Sequence, residues 1–126
     1  MDQPVYRDLI VLIEPDAAVR AVVRRMVEGL AYRVIEATQI HEGLTAIHAH
    51  HPQLAAVLFD LPRSEAALEA GLTALYAVNP GVPLVLTSAG RCLPVGTSPE
   101  ATGKVSFLAK PYARRDLMAV LRLAAC

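Results

Sequence analysis

The feature that most constrains this chain is its alternation of short, nearly continuous apolar runs with longer amphipathic stretches. Asp8-Leu9-Ile10-Val11-Leu12-Ile13 and Leu54 to Phe59 read as strands covered on both faces, because no polar residue alternates with the apolar ones. Between them, Val19, Val22, Val23, Met26, Val27 and Leu30 trace one face of an amphipathic helix, with Arg20, Arg24, Arg25 and Glu28 on the other and Gly29 as a stop. Tyr32 to Glu36 alternates as a half-exposed strand, and Ile40, Leu44 and Ile47 mark a second helix that ends at His50-His51-Pro52. The pattern then predicts a helix over Glu65 to Ala77, strands at Val82 to Leu86 and Val105 to Ala109, and a closing helix lined by Leu117, Val120, Leu121 and Ala124. Segment 89–103 carries Gly90, Pro94, Gly96, Pro99 and Gly103, so a loop with at most a short helix is expected there. Five strands alternating with helices predict an α/β domain: a doubly wound parallel sheet with helices on both faces.

Composition narrows the function. The 126 residues make one domain, large enough to bury a core without disulfide or metal staples. Twelve basic and twelve acidic residues cancel, which removes the electrostatic footprint of a nucleic-acid or anionic-membrane binder. No apolar run approaches the roughly 20 residues of a membrane span. No charged leader precedes an apolar segment at the N-terminus, and Cys92 and Cys126 stand far apart, so a cytoplasmic protein with reduced thiols is expected. His48, His50 and His51 are accounted for as cations favoured at a helix C-terminus rather than as metal ligands.

In a doubly wound sheet the chemistry sits at the carboxyl ends of the strands. The residues there are Glu14, Asp60, Thr87 and Lys110: two acids, a hydroxyl and a base. With their flanks, Val11-Leu12-Ile13-Glu14-Pro15-Asp16-Ala17-Ala18-Val19-Arg20, Val57-Leu58-Phe59-Asp60-Leu61, Pro83 to Ser88, and Phe107-Leu108-Ala109-Lys110-Pro111-Tyr112, the sequence resembles the CheY-like receiver domain of two-component response regulators over essentially its whole length, 1–126. The resemblance implies a flavodoxin-like (βα)5 fold of strand order 2-1-3-4-5. It implies that Asp60 is a phosphoacceptor served by a histidine kinase or histidine phosphotransferase, that Thr87 and Lys110 bind the phosphoryl group, and that Phe107 is the aromatic switch. It further implies a cis peptide before Pro111, and Mg2+ held by Glu14, Asp60 and the backbone carbonyl of Pro62, with Asp16 as a further candidate. Such a module is no enzyme in the ordinary sense. It acts as a stand-alone receiver through protein contacts, as a monomer or weak homodimer.

The chain also departs from the family's pattern. Pro15 stands where a second adjacent acid is usual, Pro62 and Arg63 follow closely on Asp60, and 89–103 lacks the family's regular helix. The expected consequences are weak Mg2+ binding and an altered switch. Pro15 leaves open an alternative, a pseudo-receiver used as a phosphorylation-independent interaction module. A flavin-binding relative is disfavoured because Glu14-Pro15-Asp16-Ala17-Ala18 is no Ser/Thr/Gly-rich phosphate loop, and a Rossmann enzyme because no GxGxxG follows the first strand.

Overall fold

The apolar runs assemble into one five-stranded sheet, seen in a computed structural model that describes residues 7–62, 64–79, 81–89 and 105–125. In chain order the elements are β1 (Leu9–Ile13), α1 (Ala17–Gly29), β2 (Arg33–Ala37), α2 (Ile40–His50) with a single 3-10 turn at His51–Gln53, β3 (Leu54–Asp60), α3 (Glu65–Val78), β4 (Leu84–Ala89), β5 (Val105–Lys110) and α4 (Arg114–Ala125). The strands run parallel in the order β2-β1-β3-β4-β5. This is the flavodoxin-like arrangement expected from the sequence. Ala89 ends β4. The expected irregular stretch between the fourth and fifth strands, together with Arg63, Cys92 and Cys126, lies outside the described residues.

The side-chain period of two divides the sheet into two cores. Val11 and Ile13 of β1, Val57 and Phe59 of β3, and Leu84 and Leu86 of β4 pack under α2 and α3 with Ile47, Leu68 and Leu75. Ile10, Leu12, Ala56, Leu58 and Val85 pack on the other face with Val23 and Val27 of α1 and Leu117 and Leu121 of α4. Burying each such side chain contributes about 1.5–3 kcal/mol, and β1 is buried along its whole length.

Most boundaries fall within a residue of the sequence expectation, and the ends of α1 and β4 have local reasons. Helix α1 starts at Ala17, where Asp16 caps it: Oδ1 accepts from the backbone N–H groups of Ala18 (2.9 Å) and Val19 (3.1 Å). Strand β4 starts at Leu84 and runs three residues past the expected end. Pro83 has no N–H for the ladder, although its carbonyl still accepts from Val57 N (2.9 Å). Ser64 caps α3 by accepting from Ala67 N (2.9 Å), so the helix follows Asp60 after a short connection.

Gly43 sets the depth at which α2 lies on the sheet. A Cβ there would stand 2.4 Å from Ile13 Cδ1 and 2.6 Å from Cγ1, and Ile13 is held in the core. Gly43→Ala gains about 1 kcal/mol of helix propensity but overpacks the site by about 2–3 kcal/mol. The expected net loss is about 1–2 kcal/mol, measured by urea unfolding.

Candidate functional site

The strand ends that carry the site inherit their direction from the core. Ile10 and Leu12 of β1, Ala56 and Leu58 of β3, and Leu108 of β5 face α1 and α4. Continuing the same alternation by two residues puts Glu14, Asp60 and Lys110 on that side of the sheet's carboxyl edge. Glu14 is fixed by its backbone, since its N–H donates to Ala37 O (3.0 Å) and so extends the β1–β2 ladder past the last strand residue. Asp60 pairs in register with Thr87, and Leu61 N donates to Thr87 O (2.9 Å), so the chain stays attached to β4 one residue beyond the acid.

The long stem of Lys110, from the edge strand, spans β4 and delivers one ammonium to both acids. Nζ donates to Glu14 Oε1 at 2.5 Å and to Asp60 Oδ1 at 2.7 Å. The side chains are 4 % (Glu14), 23 % (Asp60) and 16 % (Lys110) exposed, so Glu14 depends on this contact most heavily. Burial by itself would lower the lysine's pKa. The hydrogen bonds to Asp60 and Glu14, with their charges, outweigh it and hold Lys110 above the ordinary lysine value, so it stays a cation. Two carboxylates and one ammonium leave a net charge of −1 at the edge of the sheet.

The remaining sequence candidates fall around this triad. Thr87 is buried and by alternation shares the face of Val85, the side of the acids. Ser88, which the sequence reading passed over, is also buried, and alternation sets it on the face of Leu84 and Leu86, where Phe107 packs. Strand periodicity alone could have shown that the hydroxyl on Phe107's side is Ser88. Lys110-Pro111 is a cis peptide. Pro15 is exposed, and so is Asp16, whose Oδ1 is engaged as the α1 cap. Arg20 is not the solvated residue its helical position suggested. Its Nη1 donates to Glu14 O (2.9 Å) and its Nε lies 3.4 Å from Glu36 Oε1. The three histidines of α2 and the following turn form no metal group, and among the described residues no cluster of three or more His, Cys, Asp or Glu is poised to hold an ion.

For a divalent cation, Glu14 and Asp60 supply hard oxygen donors of the class that suits a Mg2+ shell completed by waters. Both oxygens of Glu14 are already engaged, however: Oε1 by Lys110 and Oε2 by the Asp16 N–H at 3.2 Å. Pro15 adds no acid. The residues therefore fit a loosely held, water-rich ion that competes with Lys110.

Beside the triad, an apolar groove of about 550 Å³ runs between α1 and the β5–α4 connection, lined by Val19, Val22, Met26, Pro111 and Tyr112 and reaching Lys110. Val22 in this groove is 53 % exposed, unusual for a large apolar side chain in this protein. The Tyr112 hydroxyl is pushed up to about 12 by burial first and then by the negative charge of Glu14 and Asp60.

No protein-family model matches the chain, and no curated protein matches it. Solved structures do. A response-regulator receiver domain from Clostridium thermocellum superposes with a TM-score of 0.80 at 17% identity, covering 93% of each chain. A CheY-like receiver domain from Methanospirillum hungatei JF-1 gives 0.77 at 20% identity, over 97% of this chain and 94% of that one. The receiver domain of a sensor histidine kinase from Pseudomonas aeruginosa PAO1, described with a magnesium ion coordinated in its active-site cleft, gives 0.71 at 21% identity, over 94% and 97%. The fold of this chain is the receiver-domain fold.

Two expectations follow from the triad's electrostatics. Lys110→Met leaves the Glu14 carboxylate buried without its cation and is expected to cost about 3 kcal/mol, whereas adding Glu14→Gln to it restores most of that stability; urea unfolding of the single and double variants checks this. For Tyr112, the folded protein holds its proton up to about pH 12 while the unfolded chain releases it near 10. Its contribution is therefore complete below pH 10 and is lost as pH rises from 10 to 12. Tyr112→Phe is expected to flatten the fall in melting temperature over that window, and absorbance at 295 nm should lose a tyrosine titrating near pH 12.

Proposed function

We propose that this chain is a receiver module of a two-component phosphorelay, in which Asp60 accepts a phosphoryl group from a phosphohistidine of a histidine kinase or phosphotransferase. The observation that carries the reading is the Lys110 ammonium bound to Asp60 Oδ1 and Glu14 Oε1 at the carboxyl edge of a receiver-fold sheet. In this reading Oδ2 of Asp60 attacks phosphorus, the O–P bond forms as the P–N bond breaks, and the imidazole leaves with the electron pair. Lys110 holds the nucleophile by its other oxygen and meets the phosphoryl charge as it arrives, so the reaction proceeds mainly by positioning and charge neutralisation. The hydroxyls of Thr87 and Ser88 stand on the two sides of β4 to receive phosphoryl oxygens, and Phe107, packed on the side of Ser88, would report the change to the surface under α2 and α3. Asp60, Glu14 and the Pro62 carbonyl would hold Mg2+, which supplies further neutralisation of the phosphoryl charge. The donor would approach along the apolar groove of α1, which ends at Lys110.

A second reading, an interaction module that works without phosphorylation, is favoured by Pro15 and by the engagement of both Glu14 oxygens. Acetyl phosphate or phosphoramidate treatment followed by intact-mass measurement, across a Mg2+ series reaching tens of millimolar, separates the two. The expected outcome is a single phosphoryl adduct on the wild type that grows with Mg2+ and is absent from Asp60→Asn. An adduct of equal stoichiometry on Asp60→Asn, or none on the wild type at any Mg2+ concentration, would sink the phosphoacceptor reading.

A further inference from the structure

Glu14 owes its place to contacts outside the triad. Its backbone N–H is tied to Ala37 O at 3.0 Å, but the next residue, Pro15, has no N–H with which to anchor the exposed turn into α1. The anchor on that side is Arg20, one helical turn inside α1. Its Nη1 donates to the carbonyl of Glu14 at 2.9 Å and lies 3.4 Å from that of Pro15. Glu36 of β2 aims the guanidinium, with Oε1 3.4 Å from Arg20 Nε, and its other oxygen is held by Arg24 Nη1 at 2.5 Å. The Arg20 side chain is 19 % exposed, well covered for an arginine on a surface helix.

We propose that Arg20 is a positioning residue for phosphoryl transfer to Asp60: through the Glu14 and Pro15 carbonyls it holds the turn so that the Glu14 carboxylate meets Lys110, and Lys110 in turn orients Asp60. Arg20 hydrogen-bonds none of the reacting groups itself. A planar guanidinium suits the task because it serves a carbonyl and a carboxylate at once with fixed geometry, which a lysine at the same position cannot reproduce. Pro15 makes the clamp necessary, since a residue with an N–H could have tethered the turn by itself. The inference rests on the phosphoacceptor reading for its catalytic consequence, while the clamp itself can be read without phosphorylation.

The experiment uses the full chain with Arg20→Ala, Arg20→Lys and Glu36→Gln, and Arg25→Ala as an exposed control on the same helix. The initial rate of adduct formation with acetyl phosphate is expected to fall about tenfold in Arg20→Ala and to recover in part in Arg20→Lys. Glu36→Gln should lie between wild type and Arg20→Ala, and Arg25→Ala should match wild type. In a Glu14→Ala background, Arg20→Ala should cause no further loss, because it acts through Glu14. On the unphosphorylated protein, the Glu14 carboxylate carbon and the Lys110 ammonium signals in NMR should move in Arg20→Ala and stay put in Arg25→Ala. Unmoved Glu14 and Lys110 signals, or an undiminished additional loss in the Glu14→Ala background, would overturn the proposal. If the wild type takes no phosphoryl group, the phosphoacceptor reading fails and the NMR comparison alone decides whether Arg20 positions Glu14.

Discussion

One ammonium shared between two carboxylates organises the functional end of this sheet. Glu14 is almost wholly buried, and a carboxylate so placed is costly unless a cation and hydrogen bonds meet it. Lys110 meets it from the far edge strand, and the span across β4 is possible because the strand order sets β4 and then β5 beside β3, with the ends of β4 and β5 two residues beyond that of β3. The contact is therefore a consequence of topology: residues 96 positions apart in sequence meet because β5 runs two residues past the level of Asp60 and the long lysine stem reaches back over β4 to both acids. The same contact gives Asp60 its orientation. A strand-end aspartate that could have served only as a turn cap becomes a held nucleophile candidate.

Much of this was legible in the sequence, for identifiable reasons. The strands β1 and β3 announce themselves as apolar runs because both of their faces are covered, and α1 shows a clear helical period because only one of its faces is. Strand ends were then found by counting, which is why Glu14, Asp60 and Lys110 could be singled out before any geometry was known. What escaped was whatever depends on a neighbour rather than on a pattern. The start of β4 lies at Leu84 because Pro83 lacks a donor, and the start of α1 is set by the Asp16 cap. Arg20 has the spacing of a solvated helix residue, and nothing in its local sequence reveals that it reaches back six positions to the Glu14 carbonyl. Ser88 lies past Leu86, where the apolar run of the strand ends, so the run itself gives no sign that the strand continues through it.

Pro15 links these details. A second acid there would add negative charge to the mouth of the site and a backbone N–H to the turn; proline removes both. The missing charge shifts the balance toward Lys110, whose ammonium satisfies one oxygen of each remaining carboxylate. The missing tether is made good by Arg20 from the helix and by Asp16, whose N–H binds Glu14 Oε2 and whose carboxylate caps α1. Each replacement uses side chains already next to the turn, so the fold is undisturbed while the electrostatics of its edge change.

That change bears on how the site would respond to an incoming anion. With a further acid beside the two carboxylates, the need for a divalent ion ahead of phosphate would be greater. Here the lysine is already in place, and a phosphoryl group reaching Asp60 would compete with Glu14 for the same ammonium. Lys110 can turn toward the new charge only as far as Glu14 releases it, and Glu14 is held at its own backbone on both sides, by Ala37 and by Arg20. Stability and responsiveness are thus set by the same few contacts: the tighter the turn is clamped, the more firmly the resting triad is kept, and the larger the rearrangement a phosphorylated Asp60 would have to drive.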